Sequence, residues 1–152
     1  MNLIQRCQAT LLAGIFLSMI HSASAGPLEP YRAKNRLILA SLPTGGSRDG
    51  FRAALDADRD GIDERDLKVI DVSRGSARMP NTLRLDAQQT SAIREKLKLT
   101  DSETDAVFVL IGKDGGEKAR QRGTLNLASW FALIDEMPMR RDEIRRRGKG
   151  RE

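Results

Sequence analysis

One segment constrains the fold of this chain more than any other. Ala106 to Gly112 (AVFVLIG) is continuous, apolar and rich in β-branched residues, and Lys113-Asp114-Gly115-Gly116 follows it at once. A short apolar run bounded by turn residues reads as a buried strand, covered on both faces and central in its sheet. Asp-Gly and Gly-Gly supply the positive φ angles that a tight hairpin requires. Glu117 to Arg122 then alternates charge with small residues, which suits a partly solvated outer strand.

The remaining elements can be placed around this hairpin. Gly26 to Arg36 carries Pro27 and Pro30 and reads as an irregular lead-in. Arg36 to Leu42 (RLILASL) is a second buried strand, stopped by Pro43 with Gly45 and Gly46 behind it. A helix is predicted from Ser47 to Arg59, burying Phe51, Ala54 and Leu55 at helical spacing, with Gly61 as its left-handed stop. Leu67 to Val72 is a third strand, and Ser73 to Leu85 a loop. Asp86 caps a helix running to about Leu97, with Ile93 and Leu97 inward. The last helix, Asn126 to Met137, buries Leu127, Trp130, Phe131 and Ile134, and Pro138 is expected to stop it. Trp130 and Phe131 read as core anchors, with ligand stacking as the alternative. There is no internal repeat.

A parallel βαβ opening followed by a ββα ending is the core order of the thioredoxin fold. PLEPYRAKNRLILASLP, ERDLKVIDV, VFVLIGKDGGEKAR and FALIDEMPMRRDEIR resemble a bacterial family of exported proteins known as domain of unknown function 4174. The likeness covers most of Pro27 to Arg145; the MPMRR stretch and the KDGG hairpin are its most specific pieces, and Ser73 to Asp105 matches only loosely. The resemblance implies an α/β, thioredoxin-like three-layer sandwich, with a mixed sheet of about four strands and flanking helices. It implies no established activity.

The first 25 residues form a separate part. Arg6 in a short polar start, an uncharged run from Ala9 to Ile20, and Ala23-Ser24-Ala25 are the three parts of a secretory signal. The apolar run is shorter than the roughly twenty residues that span a bilayer. Cleavage after Ala25 is expected, leaving a periplasmic or secreted chain that is not transmembrane; an uncleaved anchor is the alternative. The single Cys (Cys7) and the single His (His21) both lie in this segment. The mature chain would therefore have no thiol or imidazole, which excludes thiol redox chemistry, disulfides, Cys/His zinc sites and a Ser-His-Asp triad. No metal and no cofactor are expected.

Charge is distributed just as unevenly. Residues 26–139, taken as the folded domain, hold 18 Lys+Arg against 18 Asp+Glu. Residues 140–152 hold seven Lys+Arg against three Asp+Glu, and this basic segment is predicted to be a disordered tail. Arg140, Arg141, Arg145, Arg146, Arg147, Lys149 and Arg151 are its candidates for binding an anionic envelope surface; a solubilising tail without a partner is the alternative. Nucleic acid is not an expected partner in that compartment.

Three further patterns bear on chemistry. Gly45, Gly46, Ser47 and Arg48 occupy the place where an active thioredoxin fold keeps its cysteines. Free amides at a helix start there would suit a carboxylate or phosphate; a plain strand-to-helix connection is the alternative. Asp56-Ala57-Asp58-Arg59-Asp60-Gly61 opens like a calcium loop, but Asp63 and Leu67 stand where an apolar residue and a bidentate Glu are needed. Asp63, Glu64, Asp66 and Asp71 are close enough in sequence for acid/base work, with no sign of the water-poor pocket it needs. The leading expectation is a redox-inactive module binding a protein or a small anionic ligand. The alternatives are a non-thiol enzyme built on the Gly45–Arg48 turn, or an envelope anchor acting through the tail.

Overall fold

Burial on both faces of two strands sets the architecture. A computed structural model describes residues 26–43, 48–74, 82–83, 85–99 and 105–149. Four strands, β1 (Arg36–Ser41), β2 (Leu67–Asp71), β3 (Val107–Ile111) and β4 (Glu117–Arg122), form one sheet in the order β2-β1-β3-β4. β1 runs parallel to β2 and antiparallel to β3, and β3 runs antiparallel to β4. β1 and β3 are buried along their whole length, as the continuous apolar runs required. The hairpin turn closes through the Gly112 amide donating to the Gly116 carbonyl at 2.9 Å, with Gly115 at φ +82°.

Among the described residues, α1 (Arg48–Ala57), α2 (Arg59–Glu64), α3 (Ala87–Lys96) and α4 (Leu127–Asp135) cover the two faces, and α5 (Pro138–Lys149) follows α4 without entering either core cluster. Strand alternation divides the core. Ile38, Ala40, Val69, Phe108 and Leu110 face Phe51, Ile62, Leu127, Trp130 and Ile134 from α1, α2 and α4. Leu37, Leu39, Ile70, Val107 and Val109 face Ile93 of α3 and Leu99 beyond it. Asp86 caps α3 through a reciprocal box with Gln89, its carboxylate accepting from the Gln89 amide at 2.7 Å.

One expected helix end is not an end, and the other is also a start: α4 stops at Asp135, before Pro138. Gly61 lies inside α2, not at a left-handed stop. Its hydrogen is needed for packing: a Cβ there would lie 2.7 Å from Phe131 Cε2. Pro138 begins α5 where it was expected only to end the previous helix. Proline lacks an N–H, but a first-turn residue has no partner for one.

The boundary at residue 139 therefore gives way. Residues 140–149, expected as a disordered tail, are helical, and the helix is tied to the domain by its inward side chains. Arg140 is buried, its guanidinium donating to Asp135 Oδ1 at 3.1 Å, to Glu64 Oε1 at 2.6 Å and to the Glu64 carbonyl at 3.0 Å. Glu143 accepts from buried Arg36 at 3.1 and 3.2 Å and from Lys113 Nζ at 2.7 Å. Electrostatic pairing, invisible to an apolar pattern, holds this helix down.

Candidate functional site

The C-terminal ends of parallel strands are where α/β sheets place their ligands, because loops and helix starts converge there. In this sheet that edge holds Ser41 of β1, Asp71 of β2, the start of β3 and the start of α1. Asp71 organises it. Its Oδ1 accepts from the Ser73 amide at 2.9 Å, and its Oδ2 accepts from Arg48 Nη1 at 3.0 Å. The Ser73 hydroxyl in turn accepts from the Leu42 amide at 2.8 Å.

Arg94 supports the same edge from below. It is buried on α3, and its Nη1 donates to the Ser41 hydroxyl and the Val72 carbonyl, each at 2.8 Å. Its Nη2 donates to the Leu99 carbonyl at 3.2 Å. One side chain thus ties the ends of β1 and β2 to the exit of α3. The sequence offers one cue to this role: Arg94 directly follows inward-facing Ile93.

Beside this polar edge, on the face covered by α1 and α4, lies a cleft of about 340 Å³. Gly50, Phe51 and Ala54 of α1 form one wall. Ala106, Phe108 and the Gly123-Thr124-Leu125 segment after β4 form the other. The Phe51 and Phe108 rings meet with centroids 4.9 Å apart, tilted by 40°, and make an apolar floor. The volume falls at the lower end of small-ligand sites. Among the described residues lining it, none ionises; Thr124 brings the single hydroxyl.

The candidates named from the sequence distribute unevenly around this site. Arg48 reaches it but is already neutralised by Asp71. Gly45, Gly46 and Ser47 lie outside the described residues. Phe51 and Ala54, expected as core, are cleft wall as well, because α1 leaves its first turns only partly covered. The calcium-like stretch forms no loop: Asp56 lies in the last turn of α1 and pairs with Arg59 at 2.7 Å, Asp58 stands at the N-cap position of α2 without a side-chain capping bond, and Asp60 lies within α2. Among the described residues no group of three or more His, Cys, Asp or Glu is placed to hold a metal ion.

The clustered carboxylates are occupied structurally. Burial would raise Asp66, but the Lys113 ammonium donating to it at 2.8 Å, with the Arg147 and Arg36 charges, holds it below the usual range. Burial likewise opposes ionisation of Asp135 and Glu143, and is outweighed by Arg65 and Arg140 at the first and by Lys113 and Arg36 at the second. Glu64 pairs with Arg140 and Asp71 with Arg48. Asp66, Asp135 and Glu143 are thus held as carboxylates, the opposite of what a general acid needs. Trp130 is buried in the core, and the half-buried Phe131 ring lies 4.5 Å below the Arg65 guanidinium.

The basic residues also divide. Arg140 faces inward, as described, and Arg147 donates to the Glu64 carbonyl at 2.8 Å, so neither is a tail residue awaiting an anion. Arg141, Arg145, Arg146 and Lys149 are exposed, and Arg151 lies outside the described residues.

With this geometry in hand, the chain can be compared with known proteins. A family model, "Domain of unknown function (DUF4174)", matches residues 27–143. The chain belongs to this family. The match runs through Arg140 and ends at Glu143, the two inward side chains that dock α5, so it takes in that helix's first turns. No curated protein matches. Among solved structures, reduced 2-Cys peroxiredoxin from Plasmodium vivax is similar, with a TM-score of 0.56 and 17% identity over 80% of this chain and 84% of that one. Peroxiredoxins have a thioredoxin-like fold, and at that identity the likeness establishes the fold alone. The family member described here thus has the thioredoxin-like sandwich its element order predicted.

Proposed function

We propose that this protein is a redox-inactive binding module, in which a thioredoxin-like scaffold keeps its ligand edge without thiol chemistry. The cleft between α1 and the start of β3 is the binding site, and its occupant is an uncharged or apolar segment of a partner protein. One observation carries the reading: the described side chains that line the cleft are apolar except for Thr124, while Asp71 and Arg48 beside it neutralise each other. A small anionic ligand draws less support, because Arg48 already has its counter-ion. An enzyme built on the Gly45–Arg48 turn draws less for the same reason, since both Asp71 oxygens accept hydrogen bonds within the protein.

The leader of residues 1–25 is consistent with export and cleavage after Ala25, which would place the module in the periplasm or outside the cell. No helix among the described residues is long and apolar enough to cross a membrane.

A photo-crosslinking side chain at Thr124 tests the site in cells, with the same probe at exposed Glu95 on α3 as control. The expected result is a discrete protein adduct from position 124 alone, lost when Gly50→Leu fills the cleft mouth. A Cβ at Gly50 meets nothing within 4 Å, so this variant should keep the fold. Equal adducts from both positions, or an adduct insensitive to Gly50→Leu, would refute the assignment.

A further inference from the structure

We propose that the outward face of α5 docks the protein on an anionic phospholipid surface. Two independent observations meet on this helix. The first is charge. Arg141, Arg145 and Lys149 recur at a spacing of four, which places them in one row along a helix of 3.6 residues per turn. Arg146 is exposed beside them. The single acid near the row, Asp142, pairs with Arg145 on the helix itself. No ion pair to another described element engages Arg141, Arg145, Arg146 or Lys149.

The second observation is apolar exposure. Among the described residues the exposed large hydrophobic side chains are Leu133, Met139 and Ile144, and all three lie on α4 and α5. The remaining large apolar side chains among the described residues are buried or half-buried, so this placement is not a general looseness of the surface. Cations attract phosphate head groups, and apolar side chains gain by entering the boundary between head groups and acyl chains; Met139 and Ile144, five positions and so about 140° apart, flank the cation row on its two sides. A nucleic-acid backbone would answer the cations but offer nothing to Met139 and Ile144.

The inward side chains make the row a fixed feature. Arg140, Glu143 and Arg147 bind Glu64, Arg36, Lys113 and Asp66, so the same helix is clamped on one side and presents its charges on the other. This differs from a flexible basic tail, whose charges would have no preferred face.

The test is co-sedimentation of the full chain with vesicles of mixed phosphatidylglycerol and phosphatidylcholine, and with phosphatidylcholine alone. Residues 1–25 are present in every form compared, so their apolar run contributes equally. Arg141→Gln/Arg145→Gln/Arg146→Gln should lower binding to the anionic vesicles on the order of 10²-fold, each cation near the surface contributing roughly a factor of five. The difference should vanish at about 1 M salt, where the Debye length is near 3 Å. Met139→Ser/Ile144→Ser should weaken vesicle binding and leave binding to duplex DNA unchanged. Should the triple variant lose its thermal midpoint, Arg141→Gln/Lys149→Gln repeats the comparison without touching the Asp142 pair. Equal vesicle binding by a folded variant and the parent overturns the proposal. So does a loss confined to DNA, or insensitivity to the Met139 and Ile144 substitutions, which would leave only unspecific attraction to polyanions.

Discussion

Replacing Glu143 by alanine should cost far more than its place in a basic, glycine-containing C-terminal stretch suggests. The Glu143 carboxylate is the shared counter-ion of Arg36, whose side chain is 1% exposed, and Lys113, whose side chain is 8% exposed. Removing one member of a buried ion pair leaves the other charge desolvated and costs about 3–5 kcal/mol. Two features lower that figure here. Lys113 keeps Asp66, and Arg36 keeps the Arg65 carbonyl at 3.0 Å. Glu143 itself retains 18% exposure, so water already reaches part of the pair. The expected loss is about 2–4 kcal/mol, or a fall in Tm on the order of 10 °C. Urea denaturation followed by fluorescence of Trp130, the single tryptophan, measures it directly. Combining Glu143→Ala with Arg36→Met should recover much of the loss, because the stranded charge is gone. A loss below about 1 kcal/mol, within the usual range of exposed pairs, would refute the claim that α5 is part of the core structure.

Acid should release the same helix. Asp66, Asp135 and Glu143 are held below their ordinary values, so their contribution is complete above the unfolded carboxylate range and is lost as pH falls through the lower folded values. Tm should therefore decline below about pH 4, and Glu143→Gln should flatten that decline; identical slopes would show the pairing to be unimportant. Two glycines in helices should respond in opposite directions. Gly50→Ala faces open space and should stabilise by about 0.5 kcal/mol through helix propensity. Gly61→Ala should destabilise by about 1 kcal/mol, since the clash with Phe131 outweighs that gain; equal shifts in the two denaturation curves would contradict the packing reason for Gly61.

Local chemistry alone was enough to read most of the sheet. RLILASL and AVFVLIG are buried because a short β-branched run has no polar face to offer water, and KDGG turns because its glycines tolerate positive φ. The Asp86 cap and the inward residues of α4 follow from rules that act within one turn of helix. What local chemistry could not reach was decided by partners far away in sequence. Glu143 meets Arg36 across 107 positions, and Arg140 meets Glu64 across 76. A pattern of charges does not say which of them will be buried together, so a docked helix read as a tail. The cleft has the same origin: Gly50 and Thr124 are unremarkable in sequence, and become a site only where the sheet brings the start of α1 against the end of β4. Composition excluded thiol chemistry from residues 26–152, which hold no cysteine, because a residue that is absent cannot react. Tertiary structure decided which of the described C-terminal cations hold the fold together and which face outward, because that depends on the side of α5 that meets Glu64 and Asp66.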